Sequence, residues 1–289
     1  MTVREMLSNG SRMLKLAKIE SSALEAGMLL CYVLKCDKVY IHTRTDEQVS
    51  PVDSQEYIKL IDKRAAGVPL QYLIGKQEFM SLDFQVKSGV LIPRHDTETL
   101  VEAVLDESKK TDLEKITILD IGTGSACIAI SLAYYLKNSR VYAIDISEDA
   151  LSIARANAIA CGVKDKIIFL KSNIFGALDK DKKKYSKFFD IIVSNPPYIS
   201  TEDINNLSVE VKDHEPLIAL DGGADGLCFY RKIIQDSNIY LKPGGILAFE
   251  VGINQAEPVE KLMFKMFDNI SIIKDLSGIK RVVLGYLKC

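Results

Sequence analysis

The chain has 289 residues, with 37 Lys+Arg against 39 Asp+Glu, 47% hydrophobic and 26% charged. This balance excludes a disordered chain, which needs fewer apolar residues and a larger net charge. It also argues against a strong non-specific nucleic-acid binder, whose phosphate-facing surface shows as excess positive charge.

The first 67 residues carry helical periodicity. Val3, Met6, Leu7, Met13, Leu14 and Leu16 predict one amphipathic helix with a break near Gly10. Ser21 and Ser22 offer caps for a second, with Leu24, Met28, Leu29 and Val33 on its apolar face. Pro51 and Asp53 precede a third, with Tyr57, Leu60, Ile61 and Ala65 inward. Residues 1–85 hold eleven basic and eleven acidic side chains, so this part is neutral. Gly67-Val-Pro-Leu-Gln-Tyr ends it.

Residues 78–92 read as short strands with a hairpin turn at Ser88-Gly89, and Thr97–Glu107 as a helix. Thr111–Lys115 is polar and reads as a linker. From Ile116 the rhythm alternates. Strands are expected at 116–120, 140–145, 166–171, 188–194 and 245–250, and near 270–274 and 281–286. Helices are expected at 125–136, 148–160, 224–241 and 255–267. Continuous apolar strands between helices imply an α/β fold with a mostly parallel sheet covered on both faces. The lysine-rich run 179–187 reads as a solvated loop.

No run of 18 apolar residues predicts a membrane span, and Met1-Thr-Val-Arg-Glu lacks the apolar run of a secretory signal. Six cysteines form no C-x-x-C pair, and His42, His95 and His214 are scattered. No metal site is expected, and the cysteines read as buried, reduced thiols of a cytoplasmic protein.

Two segments carry chemistry. Asp120-Ile-Gly122-Thr123-Gly124-Ser125-Ala126 follows a strand and opens a helix. Glycines there let the backbone approach a ligand, and the helix N-terminus offers free N–H groups. Asp145 ends the next strand, where a carboxylate accepts hydrogen bonds from ribose hydroxyls. Together they indicate an adenosine-containing cofactor. A nicotinamide fingerprint would place its third glycine at Cys127. The chain reads G-x-G-x-A instead, which resembles motif I of class I S-adenosylmethionine methyltransferases, with Ala126 where Gly is usual.

Asn195-Pro196-Pro197-Tyr198 follows the strand ending at Ser194. Two prolines fix φ twice and remove two donors, leaving carbonyls free to accept. The Asn195 side-chain oxygen and the Pro196 carbonyl suit the two N–H groups of a planar –NH2, on which Tyr198 can stack. The tetrapeptide resembles the catalytic motif of methyltransferases acting on adenine N6, guanine N2 or a glutamine amide.

Further segments narrow the choice. Gly67-Val-Pro-Leu-Gln-Tyr-Leu-Ile-Gly75, Leu91-Ile-Pro-Arg94-His-Asp96-Thr97-Glu98, Glu215-Pro216, Gly222-Gly223-Ala-Asp225-Gly226-Leu227, Pro243-Gly244-Gly245, Glu250-Val-Gly252 and Gln255 resemble the HemK/PrmC-type protein-(glutamine-N5) methyltransferases. The resemblance implies a small helical domain over 1–75 that recognises the protein substrate. A β-hairpin linker over 76–95 and a Rossmann-like methyltransferase domain over 96–289 would follow. It implies methyl transfer from S-adenosylmethionine, leaving S-adenosylhomocysteine, to the glutamine of the Gly-Gly-Gln motif in class 1 peptide chain release factors. The protein would act as a cytoplasmic monomer, without direct nucleic-acid or membrane contact.

By the same resemblance, Gly122, Thr123, Gly124, Ser125, Ala126, Asp145, Asn173, Ile174 and Asn195 contact the cofactor. Asn173 stands where the family often has Asp. Asn195, Pro196, Pro197 and Tyr198 hold the amide, with Asn195, Pro196 and Tyr198 catalytic. Arg94, Thr97 and Glu98 lie near the site, or Arg94 and Glu98 pin the hairpin to the main domain; His95 and His214 have no role. The competing readings are a nucleic-acid amino methyltransferase, disfavoured by the neutral N-terminal part, and a catalytically silent cofactor-binding module, disfavoured by Asn195 and Tyr198.

Overall fold

Thr2 closes a reciprocal cap with Glu5, and from it helix α1 runs Val3–Leu16 without interruption. The break expected at Gly10 is absent. A Cβ there would lie 2.1 Å from the Tyr57 hydroxyl, so the glycine lets two helices approach rather than ending one. The computed structural model describes residues 1–110 and 115–289, so most of the linker read at Thr111–Lys115 lies outside the described residues.

Helices α2 (Ser22–Leu34), α3 (Lys38–Thr43), α4 (Pro51–Ala65) and α5 (Leu70–Ile74) follow. The expected cap at Ser21 or Ser22 is not made: Ser21 stands at the N-cap, but its side chain accepts no bond. The α2 face is also rotated from the one expected, with Ala26, Leu29 and Leu30 inward and Leu24 exposed. Helix α4 begins as its sequence suggests. The Ser50 hydroxyl accepts from the Asp53 amide and Pro51 takes the first turn, where its missing N–H costs nothing. The short α3 and α5 escape a periodicity reading because neither completes two turns. These helices, with residues 208–214, form one compact unit around Met6, Leu14, Leu29, Leu30 and Ile61. The 208–214 segment contains helix α11 (Val209–Lys212), and the Arg64 guanidinium, almost fully buried, bridges Glu25 and Glu210.

The second unit comprises residues 77–207 and 215–289. It opens with the hairpin β1 (Lys76–Phe79) and β2 (Leu82–Gln85). The turn lies at Met80-Ser81 and not at Ser88-Gly89. Both Met80 and Ser81 have positive φ, the type I′ geometry that matches strand twist. Neither residue favours positive φ, which hid the turn from a sequence reading. The Glu98 carboxylate accepts from the Met80 amide at 2.7 Å and holds this corner.

After α6 (Glu98–Lys109) come β3 (Ile116–Ile121), α7 (Cys127–Tyr135), β4 (Ser139–Asp145), α8 (Glu148–Ala160) and β5 (Ile167–Lys171). The lysine-rich run forms short helical turns, α9 (Gly176–Asp179) and α10 (Lys182–Tyr185), with Tyr185 buried. Strand β6 (Phe189–Ser194), α12 (Cys228–Tyr240), β7 (Leu241–Glu250), α13 (Ala256–Met263), β8 (Phe267–Lys274) and β9 (Lys280–Leu287) complete the unit. Helix α12 starts four residues later than the pattern suggests, because Gly223 and Gly226 adopt positive φ before it.

The seven strands run in the order β5-β4-β3-β6-β7-β9-β8, with only the pairs made by β9 antiparallel among the described residues. Successive residues point to opposite faces. Ile118, Val141, Ala143, Ile191 and Val193 pack on one side with α6, α7 and α8, and Leu119, Tyr142, Ile144, Ile192 and Phe249 on the other with α12 and α13. Chain order reverses between β3 and β6, the switch point where open α/β sheets bind ligands at strand carboxyl ends. Among the described residues, no helix is long and apolar enough to cross a membrane. All six cysteines are free, but only Cys127 is buried; Cys289 is exposed and the others are half-buried, which corrects the expectation of six buried thiols.

Candidate active site

The two motifs lie side by side. Ile121 and Ser194 are register partners at the carboxyl ends of β3 and β6, and the Ser194 hydroxyl donates to the Ile121 carbonyl at 2.7 Å. Gly122 follows the first strand and Asn195 the second.

The glycine turn is shaped by its backbone. The amides of Gly122 and Thr123 donate to the Ile144 carbonyl at 3.0 and 2.9 Å. Gly122 and Gly124 have φ of +74° and +55°, and a Cβ at either would meet nothing within 4 Å. The turn thus presents bare backbone to open space. Ala126 also sits in the left-handed region, at φ 64°, as the residue before α7. Its methyl is fully buried in the core. Asp120 is fully buried and accepts from the Thr123 hydroxyl at 2.5 Å; burial pushes its carboxyl up to about 7.

Asp145 closes the loop across β4. One carboxylate oxygen accepts from the Gly124 amide at 2.8 Å and the other from the Ser147 amide at 2.9 Å. Each oxygen keeps a further lone pair. At the end of β5, the Asn173 side chain is exposed and Ile174 is half-buried against the aromatic side of the core. Ile174 has φ 49°, an outlier for a β-branched residue. The Ser172 hydroxyl holds this kink by donating to the Ile174 carbonyl at 2.6 Å and accepting from the Ala177 amide at 2.9 Å.

The Asn195–Tyr198 loop is held by packing. Gln255 donates to the Tyr198 carbonyl at 2.8 Å and accepts from the Gly252 amide at 3.1 Å. The 220–223 strip runs beside it: Ile199 N donates to Leu220 O at 3.0 Å, and Gly222 N to Ile199 O at 2.7 Å. A Cβ at Gly222, Gly226 or Gly252 would stand 2.7 Å from the Pro197 carbonyl, 2.3 Å from the Tyr198 carbonyl and 2.9 Å from the Tyr198 ring respectively. Burial pushes the Tyr198 hydroxyl up to about 12. The Asn195 side chain donates from Nδ2 to the Thr97 hydroxyl oxygen at 3.3 Å, which leaves Oδ1 as its acceptor.

Thr97 is therefore tied to Asn195, Arg94 lies near enough for its charge to reach the Tyr198 hydroxyl, and Glu98 acts at the hairpin. The Arg94 guanidinium pairs with the buried Glu215 carboxylate. Glu98 pins the hairpin turn and lies 3.5 Å from the exposed His95. His214 belongs to the first unit.

Two residues emerge that sequence reasoning did not assign. Asn157, fully buried on α8, donates to the carbonyls of Gln85 and Ser125 at 3.1 and 3.0 Å and accepts from the Gln85 amide at 2.8 Å. It ties the hairpin to the glycine turn, and a polar residue amid the apolar face of α8 was the available signal. Glu250 ends β7, 2% exposed, beside Thr97 and Asn195. Its sequence signal was a carboxylate closing an apolar strand.

Residues 5–75 match the family model described as PrmC N-terminal domain, and residues 112–273 one described as Methyltransferase domain. A "Release factor glutamine methyltransferase" from Moorella thermoacetica is 41% identical over 99% of both chains. One of the same name from Clostridium botulinum is 39% identical over 98% of both. A solved methyltransferase structure from Pyrococcus furiosus superposes with a TM-score of 0.52 at 17% identity, covering 82% of this chain and all of its own, which supports the methyltransferase fold.

Proposed function

Because the chain belongs to the release factor glutamine methyltransferase family and is an enzyme of the methyltransferase fold, we propose that it methylates the side-chain amide nitrogen, N5, of the Gly-Gly-Gln glutamine in class 1 peptide chain release factors. The carrying observation is the Asn195 side chain. Its Nδ2 is engaged by Thr97, so Oδ1 is left to accept an N–H from a planar amide.

S-adenosylmethionine fits the neighbouring turn. Gly122, Thr123, Gly124, Ser125 and Ala126 would face its methionine part, where added Cβ atoms at Gly122 and Gly124 would fill open space. Asp145 would accept from the ribose hydroxyls through its remaining lone pairs, and Asn173 and Ile174 would border the adenine. Bound there, S-adenosylmethionine supplies a methyl group on a cationic sulfur, a good leaving group that makes a strong general base unnecessary.

The remaining work belongs to the chain's own residues. An amide nitrogen is a weak nucleophile because its lone pair is delocalised. Acceptance of one N–H by Asn195 Oδ1 and the other by the Pro196 carbonyl fixes the nitrogen's direction and favours positive charge developing on it. Pro196 and Pro197 prevent that carbonyl from turning away. Tyr198, its hydroxyl kept neutral by burial, offers a ring face for the planar group. On this reading the 1–75 helical domain recognises the release factor, 76–95 is the connecting hairpin, and 96–289 carries the chemistry, in the cytoplasm.

The test is mass spectrometry of a release factor after incubation with enzyme and S-adenosylmethionine. A single added methyl on the Gly-Gly-Gln glutamine, absent from a Gln→Ala substrate, is expected. Label found only on nucleic acid would overturn the reading.

A further inference from the structure

Glu250 is a buried carboxylate that the proposed methyl transfer leaves without a task. It ends β7, beside β6, with Phe249 the register partner of Ser194. One of its oxygens, Oε2, makes no hydrogen bond within the protein. The Thr97 hydroxyl and the Asn195 amide face the carboxyl and favour its ionised form. Thr97 is itself 2% exposed, so water does not substitute for it.

From this geometry we infer that Glu250 is a positioning residue: ionised, it orients the Asn195 amide, which faces it directly as well as across Thr97, so that Asn195 Oδ1 faces the substrate. The argument is one of donors and acceptors. A hydroxyl has one hydrogen. A carboxylate can only accept, so it draws both the Thr97 hydrogen and the Asn195 N–H groups toward itself, and the Thr97 oxygen is left to accept from Asn195. Asn195 must then offer Nδ2 to Thr97, as observed, and Oδ1 to the cleft. When Glu250 is protonated, its own hydrogen can go to Thr97. The Thr97 hydrogen is then free to turn toward Asn195, where it selects the opposite amide orientation. That orientation presents N–H groups to the substrate's N–H groups, which repel.

The relay titrates near neutrality. Burial is the dominant influence and raises Glu250 to about 7, with the nearby Asp96 raising it further; Thr97, Arg281 and Asn195 oppose this. Tyr198, Tyr230 and Cys127 also feel its charge from the loop after β6, from α12 and from α7. The sign follows directly: the productive orientation is populated above about 7 and lost as pH falls through it.

The inference rests on the proposed amide substrate, so one readout avoids the substrate altogether. In enzyme carrying 15N-labelled asparagine, the Asn195 side-chain resonance, assigned by its loss in Asn195→Ala, is expected to shift with a midpoint near pH 7. In Glu250→Gln that titration is expected to vanish. With the release factor as substrate, kcat of the wild type is expected to rise through the same pH range. In Glu250→Gln that limb is expected to disappear and kcat at pH 8 to fall about tenfold, with affinity for S-adenosylmethionine unchanged. If Glu250→Gln does not fold, Thr97→Val should raise the midpoint of the limb, because it removes one of the donors that favour the ionised carboxyl, and Thr97→Ser should restore it. A limb that persists in Glu250→Gln, a midpoint that Thr97→Val leaves unmoved, or an Asn195 resonance indifferent to pH overturns the inference. Failure of the wild type to label any release factor overturns the substrate reading and leaves the NMR result standing.

Discussion

The two loops of the active site are adjacent in space and opposite in construction. The Gly122–Ala126 turn owes its form to backbone angles and to carbonyls and carboxylates behind it, and its outer side is open. The Asn195–Tyr198 loop owes its form to what surrounds it: Gln255, Gly222, Gly226 and Gly252 leave no room on that side for one more carbon. A loop that receives a large flexible molecule needs vacant space beside it. A loop that aligns one weakly nucleophilic atom needs rigidity, because small misalignments are costly in rate.

Four substitutions would break or sharpen that contrast. Asn195→Ala should reduce turnover about 100- to 1000-fold, the range for losing one preorganised transition-state partner. Cofactor affinity, measured by calorimetry, should hardly change; wild-type turnover would dismiss the alignment role. Gly226→Ala places a methyl against the Tyr198 carbonyl and asks alanine to adopt φ +71°. It should destabilise the protein by about 2–4 kcal/mol in urea unfolding, from overpacking plus left-handed strain. An unchanged midpoint would show the collar to be loose. Asp145→Ala should weaken cofactor binding by about 1–3 kcal/mol and also lower the melting temperature, since it removes an acceptor from the open loop and leaves the Gly124 and Ser147 amides unpaired. Unchanged affinity would remove Asp145 from the cofactor site. Ala126→Gly should be smallest, within about 1 kcal/mol of wild type in stability, because relief of left-handed strain offsets loss of a buried methyl. A larger loss would mean that the methyl matters more to packing than the angle does to strain.

Legibility in the sequence followed the range of the interactions. The strands at 116–121 and 189–194 could be read because fully buried parallel strands are continuous apolar runs. The glycine turn and the Asn-Pro-Pro-Tyr loop could be read because each needs unusual residues in consecutive positions. What escaped depends on contacts between distant residues. Gly10 looks like a helix breaker until Tyr57 is seen across from it. Met80-Ser81 has no Gly, Asn or Asp to favour positive φ, yet Glu98 and the hairpin strands hold the turn. Asn157 and Glu250 stand out in the chain only as polar residues in apolar settings, and the fold is what brings them to Ser125 and to Asn195.

The Ser194–Ile121 hydrogen bond joins residues 73 positions apart. An early folding nucleus made of β3, β4 and β5 would already hold the glycine turn, but half of the cleft would be missing until β6 docked across that long loop. Closing such a loop carries an entropic penalty and slows folding. Competence for the reaction therefore requires β6 to be docked beside β3. A ligand that needs both loops binds only the finished state, and so should raise the melting temperature of the whole unit with the logarithm of its concentration.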